Sequence, residues 1–184
     1  MNEIKFMGRG GQGVVIASQM LGRAFFKIGL YPQCFSVFGG ERRGAPVTSF
    51  LRVDEKKILL KCGIRNPHEL ICLDDSLIDT EEIRFSLRTG GRICINTDQA
   101  YESLNPLHSF TLALIDARKI SESLGLGRIM NTAILGAYWR MVDHFPLDSL
   151  LSAIEDTIPA QKQENLEAVR RAYEAVNIYE PSNE

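Results

Sequence analysis

Residues 8–13 read Gly-Arg-Gly-Gly-Gln-Gly and stand between a short apolar strand, Ile4-Lys5-Phe6-Met7, and a helical run that begins at Val14. A glycine-rich turn that opens a helix aims several backbone N–H groups at one point, and the positive end of the helix dipole favours an anion there. Gly8, Gly10 and Gly13 satisfy the G-x-G-x-x-G spacing of dinucleotide folds, with Gly11 and Gln12 inside the turn. A nicotinamide site also needs an Asp or Glu about twenty residues on, at the end of the second strand. Gln33-Cys34-Phe35-Ser36-Val37-Phe38 offers no carboxylate, so the spacing argues for the fold and against NAD. The side-chain amide of Gln12 could bond a ligand or another loop, or simply cap the turn.

A second loop, Ser36-Val37-Phe38-Gly39-Gly40-Glu41-Arg42-Arg43-Gly44-Ala45-Pro46, sets two arginines between glycines. Guanidinium forks suit bidentate contact with phosphate or carboxylate and stay charged at any working pH. Glu41 could hold one fork while the other faces outward; a solvated turn is the plainer alternative. Asp74-Asp75 falls where a strand should end, the edge at which open α/β sheets bind ligands, yet Asp75 or Ser76 is also a natural helix N-cap. Asn131-Thr132 could be a cap or a polar contact near the glycine turn. His68, His108 and His144 lie in loops without a second ligand at useful spacing. No Gly-x-Ser-x-Gly, His-x-x-x-His or Cys–His pairing is present. The chain carries no complete active site.

These residues are placed by an alternation of elements. Val14 to Ile28 has a helical apolar period closed by Gly29. Strands are expected at Gln33–Val37 and Val47–Val53, with Ile58–Lys61 returning as a hairpin partner after the polar turn at residues 54–57. Glu69–Leu73 reads as a strand, Ser76 to Leu87 as a helix stopped by Thr89-Gly90-Gly91, and Arg92–Ile95 and Phe110–Ile115 as further strands. A short helix follows to Leu124. After Gly125–Gly127 three helical segments run to the end, broken at His144–Pro146 and Pro159. This order predicts an α/β, Rossmann-like domain with a mainly parallel sheet, flanking helices and a helical C-terminal third. Residues 1–178 are expected to form one domain and Tyr179–Glu184 a flexible tail. The segment Asn131–Val142 is apolar nearly all round, so it must be core or covered by another subunit, and Gly136-Ala137 would admit a second backbone. The stripes Leu147, Leu150, Leu151, Ile154, Ile158 and Leu166, Val169, Tyr173, Val176 suit packing on the sheet.

The 184 residues, 45% hydrophobic and 24% charged with a net charge of −2, suffice for one core and give no basic surplus for nucleic acid. No apolar run is long enough to span a membrane, and no signal peptide is visible. Cys34, Cys62, Cys72 and Cys94 never form Cys-x-x-Cys, which argues against disulfides, zinc or iron–sulfur ligation and for a cytoplasmic protein with reduced thiols.

The glycine turn and Phe38-Gly39-Gly40-Glu41-Arg42-Arg43-Gly44-Ala45-Pro46, together with Asn131-Thr132-Ala133-Ile134-Leu135-Gly136-Ala137, resemble the gamma subunit of 2-oxoacid:ferredoxin oxidoreductases. Gly40 stands where many members carry Pro. The resemblance implies a complex that oxidatively decarboxylates a 2-oxo acid such as pyruvate to acyl-CoA and passes electrons to ferredoxin. Thiamine diphosphate and the iron–sulfur clusters would then belong to alpha, beta and delta-type partner subunits. No Gly-Asp-Gly thiamine signature is present here. Gly8, Gly10, Gly11, Gln12, Gly13, Arg42 and Arg43 are the candidate contacts to coenzyme A, another anion or a neighbouring subunit. A stand-alone nucleotide- or CoA-binding module without redox activity is the alternative. The isolated chain is expected to be catalytically silent, and to self-associate or expose an apolar surface, since the Asn131–Val142 helix is too hydrophobic to leave half wet.

Overall fold

A computed structural model describes residues 1–37 and 44–182. Seven strands form one sheet: β1 Asn2–Arg9, β2 Tyr31–Val37, β3 Pro46–Asp54, β4 Glu69–Cys72, β5 Arg92–Asn96, β6 Thr111–Ile115 and β7 Asn177–Tyr179, in the order β2-β3-β1-β4-β5-β6-β7. The run β1, β4, β5, β6 is parallel, with near-continuous burial along β4 to β6, as expected of strands covered on both faces. β3 lies antiparallel between β1 and β2, and β7 closes the far edge antiparallel to β6. The expected α/β class therefore stands, with an antiparallel strand at β3 and at β7.

Three local readings of the chain are overturned. Residues 58–61 do not pair as a strand, because both edges of β3 are already taken by β1 and β2. The helix expected from Ser76 to Leu87 is instead a single 3-10 turn at Asp75–Leu77 followed by α2, Thr80–Ser86. Each piece has its own carboxylate cap: Asp74 accepts from the Ser76 N–H, and Asp79 accepts from the N–H groups of Glu81 and Glu82. The C-terminal third is likewise not helical to its end. After the last helix the chain turns into β7, and Tyr179, where the sequence places the start of a tail, is that strand's last residue. The N–H of Ser182 then bonds the His108 carbonyl at 3.0 Å.

Helices α1 (Val14–Lys27), α3 (Ala117–Ser123), α4 (Asn131–Val142), α5 (Leu147–Thr157) and α6 (Lys162–Ala175) supply the rest of the architecture. α1, α4, α5 and α6 share one apolar core with residues of β1, β3 and β4, while α2 and a 3-10 segment at Tyr101–Leu107 cover the opposite face of β4 to β6. The all-round apolar helix α4 resolves in favour of core: every residue but Arg140 is buried. It presents no apolar face to a second copy, because α6 covers the side turned away from the sheet. The close approach expected at Gly136 is to α6, where an added Cβ would lie 2.2 Å from the Val169 carbonyl oxygen. Buried Tyr138 donates to Glu69 at the start of β4, and Arg92 pairs with the same carboxylate. Burial, then the negative charge of Glu69, pushes the Tyr138 phenol well up, so it stays a donor.

Gly136→Ala should therefore overpack the α4–α6 contact against backbone that cannot rotate away. A loss of about 1–3 kcal/mol in urea-induced unfolding is expected; an unchanged midpoint would show that the two helices separate freely.

Candidate functional site

The chain leaves β1 toward α1 and β2 on one side of the sheet, and reaches β4 on the other side of β1. That reversal puts a crevice outside the C-terminal ends of β1 and β4, the position at which open α/β sheets bind ligands. The glycine turn sits in it. Gly11 and Gly13 have φ of 96° and 77°, a left-handed backbone that favours glycine. Gly13 is the N-cap of α1 and provides no side chain, so the first-turn N–H groups of the helix are not capped by one.

The turn is held shut by its own side chains. The Gln12 amide accepts from the Arg9 N–H at 2.7 Å and donates to Asp74 Oδ2 at 2.8 Å. Arg9 reaches three neighbours: Asp74 Oδ2 at 3.3 Å, Ser76 Oγ at 2.9 Å and the Gly44 carbonyl at 3.2 Å. Asp74 thus joins β4 to the turn while capping its own 3-10 segment. Burial alone would raise its carboxyl; the donors Ser76 and Gln12 and the Arg9 charge outweigh that and hold it below the usual carboxylate range. Gly10 also faces inward, donating to the Ala45 carbonyl at 2.9 Å and accepting from the Gly44 N–H at 3.3 Å. The downstream end of the arginine loop is consequently laced to the turn; Arg42 and Arg43 themselves lie outside the described residues.

The third motif arrives from α4. The Asn131 side chain lies against Gly13, where a Cβ would sit 2.5 Å from Nδ2. Asn131 is 5% exposed and its Oδ1 has no hydrogen-bond partner among the described residues. Its neighbour Thr132 donates to Asn165 of α6 at 3.0 Å. Arg9, Gly10, Gly11, Gln12, Gly44 and Asp74 line a cleft of about 720 Å³, roofed by Arg118 and Glu122 of α3 and by Arg128–Met130. Sequence reading placed the glycines and Gln12 here but gave Arg9 no role, and it missed Arg118 and Arg128, which no spacing connects.

The remaining polar candidates are structural. Asp75 accepts from Thr97 Oγ1 at 2.7 Å and from Gln99 Nε2. His68 Nδ1 accepts from the Glu3 N–H at 3.0 Å, and His108 stacks on Tyr101 at 3.7 Å. Cys72 and Cys94 are sealed in the sheet, and burial pushes the Cys72 thiol up to about 12. Burial also raises the Cys34 thiol, to about 11. No group of three His, Cys, Asp or Glu side chains among the described residues could hold a metal ion. These thiols do not fit a cluster that needs several convergent thiolates. The cleft, by contrast, sets the glycine turn that opens α1 beside Arg118 and Arg128, a setting that suits an anion, with Asp74 and Glu122 as the opposing charges in its lining.

Losing the clasp should be measurable. Gln12→Ala removes two hydrogen bonds, one to a carboxylate, and should cost about 2 kcal/mol of stability. Asp74 binds its proton less tightly in the folded chain, so the stability it adds is complete above its unfolded value of about 4 and fades as pH falls through the lower folded value. Asp74→Asn should flatten that acid limb in pH-dependent unfolding; an acid limb identical to the parent's would place Asp74 outside the clasp.

A family model described as pyruvate ferredoxin/flavodoxin oxidoreductase matches residues 3–175. The pyruvate/ketoisovalerate oxidoreductases common subunit gamma of Thermococcus litoralis is 43% identical, covering 98% of this chain and 100% of the relative. The crystal structure of pyruvate oxidoreductase subunit PORC from Thermotoga maritima superposes with a TM-score of 0.83 at 31% identity, over 97% of this chain and 98% of that one. A 2-oxoglutarate:ferredoxin oxidoreductase from Magnetococcus marinus, solved with 2-oxoglutarate, coenzyme A and succinyl-CoA bound, shares the fold with a TM-score of 0.77 at 18% identity. It matches 98% of this chain to 32% of that longer one.

Proposed function

The chain belongs to the pyruvate ferredoxin/flavodoxin oxidoreductase family, and we propose that it is the gamma-type subunit of a complex that oxidatively decarboxylates a 2-oxo acid. The observation that carries this reading is likeness over the whole length to free-standing gamma-type subunits. A stand-alone module without redox chemistry is not favoured, since those relatives are named as oxidoreductase subunits. In this reading residues 1–178 act as one unit in the cytoplasm, where free thiols stay reduced. Thiamine diphosphate and iron–sulfur clusters are assigned in this reading to alpha, beta and delta-type partners: the sequence carries no Gly-Asp-Gly signature, and the described thiols do not converge.

Coenzyme A is the group that the cleft suits: bound, it supplies the thiol that accepts the acyl unit. The diphosphate is the part that N–H groups at the start of α1 would hold. Gly8, Gly10, Gly11, Gln12 and Gly13 shape that turn, and Arg42 and Arg43 are proposed to meet the anion or an acidic partner surface beside it. This chain's own work is binding and positioning; no proton or electron transfer is assigned to its residues.

Purified alone, the chain should reduce no redox dye with pyruvate, 2-oxoglutarate or branched 2-oxo acids; co-purified with its partner chains and given coenzyme A, it should. Turnover by the single chain would overturn the subunit reading. Arg42→Ala with Arg43→Ala should leave Tm nearly unchanged, within about 0.5 kcal/mol. Losing a buried charged contact in the complex should instead weaken assembly or coenzyme A use by roughly 2–5 kcal/mol. Gly10→Val should damage both the turn and its pair of backbone hydrogen bonds to residues 44–45. A double arginine variant that assembles and turns over like the parent would reduce that loop to a solvated turn.

A further inference from the structure

The helix layer reaches β1 and β3 on one face of the sheet, whereas the cover on the opposite face stops short of β3. The cluster beneath α2 stops at Met7 of β1 and includes no residue of β2 or β3. On those two strands Cys34, Ser36 and Ser49 point toward α1: Cys34 bonds the Ser18 carbonyl, and Ser49 Oγ lies 2.7 Å from Ser18 Oγ and 2.9 Å from Ser36 Oγ. The alternate residues face the other way. Phe35 and Phe50 stack there at 5.3 Å, half-buried, flanked by Tyr31 at 46% and Val37 at 58% exposure. A sheet face left to water usually alternates to polar residues. Here Gln33, Thr48, Arg52 and Asp54 are polar, but Tyr31, Phe35, Val37 and Phe50 leave an apolar strip among them, with the Arg52 guanidinium turned in over the Phe35 ring at 5.3 Å.

Beside it lies the loop that fails to pair as a strand. Residues 55–65 carry Lys56, Lys57, Lys61 and Arg65 against the single acid Glu55, in a chain whose net charge is −2. At its tip Leu59 is 80% exposed and Leu60 45%. The loop is nonetheless fixed. Arg52, 1% exposed, donates to the Gly63 carbonyl at 3.3 Å and to Cys62 Sγ at 3.7 Å, and pairs with Glu3 at 2.9 Å; Gln33 Nε2 donates to the Leu60 carbonyl at 2.9 Å. Two exposed leucines held in place before any partner arrives lower the ordering cost of association.

We infer that this half-face and the loop of residues 55–65 form the docking surface for a protein partner whose contact area is apolar at its centre and acidic at its rim. The inference deepens the subunit reading and rests on it. An apolar centre with a charged rim is the anatomy of a specific interface, and opposite charge across the rim steers the encounter. A second copy is disfavoured, since a two-fold contact would set basic rim against basic rim. The subunit reading favours a protein over a lipid surface, and lipid binding is an outcome that the test distinguishes.

The test uses the full chain with the partner chains encoded beside it. The parent should assemble, assembly should weaken as salt rises, and amide exchange of residues 31–37 and 46–65 should slow in the complex. Leu59→Glu with Lys57→Glu and Lys61→Glu should keep the parent's circular dichroism and Tm but lose at least tenfold in assembly affinity. Phe85→Ser, at an 86%-exposed position on α2, should assemble normally. A triple variant that assembles like the parent, with no slowed exchange in those segments, overturns the docking surface while the subunit reading stands. A parent that fails to assemble with those chains overturns both. Self-association through this face, or binding to phosphatidylserine vesicles that the triple variant lacks, also overturns it.

Discussion

The contact between Asn131 and Gly13 decides where everything else in the cleft can sit. α4 is buried on all sides, so its position is set by its neighbours rather than by solvent. Gly136 lets it lie directly on the Val169 backbone, Thr132 ties it to Asn165, and Tyr138 fixes its rotation against Glu69. A helix constrained at three points has no freedom left at its first residue. It delivers the Asn131 amide onto the N-cap of α1, and the turn must then be glycine twice over, for its left-handed φ and for want of space. The glycine turn is shaped by a helix more than a hundred residues away in sequence as much as by its own backbone preference.

How far this was legible in the sequence depends on whether a signal was local. The glycine turn, α1, and the parallel strands are set by period and by punctuation residues within a few positions, and they stand where those signals put them. The strand expected at residues 58–61 rests on a local hairpin pattern; the competition that defeats it comes from β1 and β2, from either side of the segment's partner. β7 has no pattern of its own, being three residues added to an edge that only the folded sheet exposes. The all-round apolar pattern of α4 required a cover without saying which, and α6 is that cover. At the site, Gln12 and the glycines could be read from spacing. Arg118 and Arg128 come from a helix and a loop that meet the turn only in three dimensions.

The four-helix layer packs one face of the sheet, while on the other face the β2–β3 part is reached by the loop of residues 55–65 through Arg52. The buried thiols are raised and sealed, the histidines serve packing and backbone contacts, and polar groups converge at the cleft of the glycine turn and at a neighbouring one lined by Asp75, Asp98, Asp116 and Lys119.

The clasp around Asp74 sets a limit on how the crevice can receive an anion. All three branches of the Arg9 guanidinium are engaged, with Asp74, Ser76 and the Gly44 carbonyl. Its positive charge is offset within 3.3 Å by a carboxylate that stays ionised. Three of the five Arg9 N–H donors are spent in the clasp, and an anion that took the place of Asp74 would also release Gln12 and open the turn. Arg9 is therefore first a structural arginine although it lines the cleft. The attraction left for a ligand is that of the helix start and of the arginines outside the clasp, Arg118 and Arg128 among them.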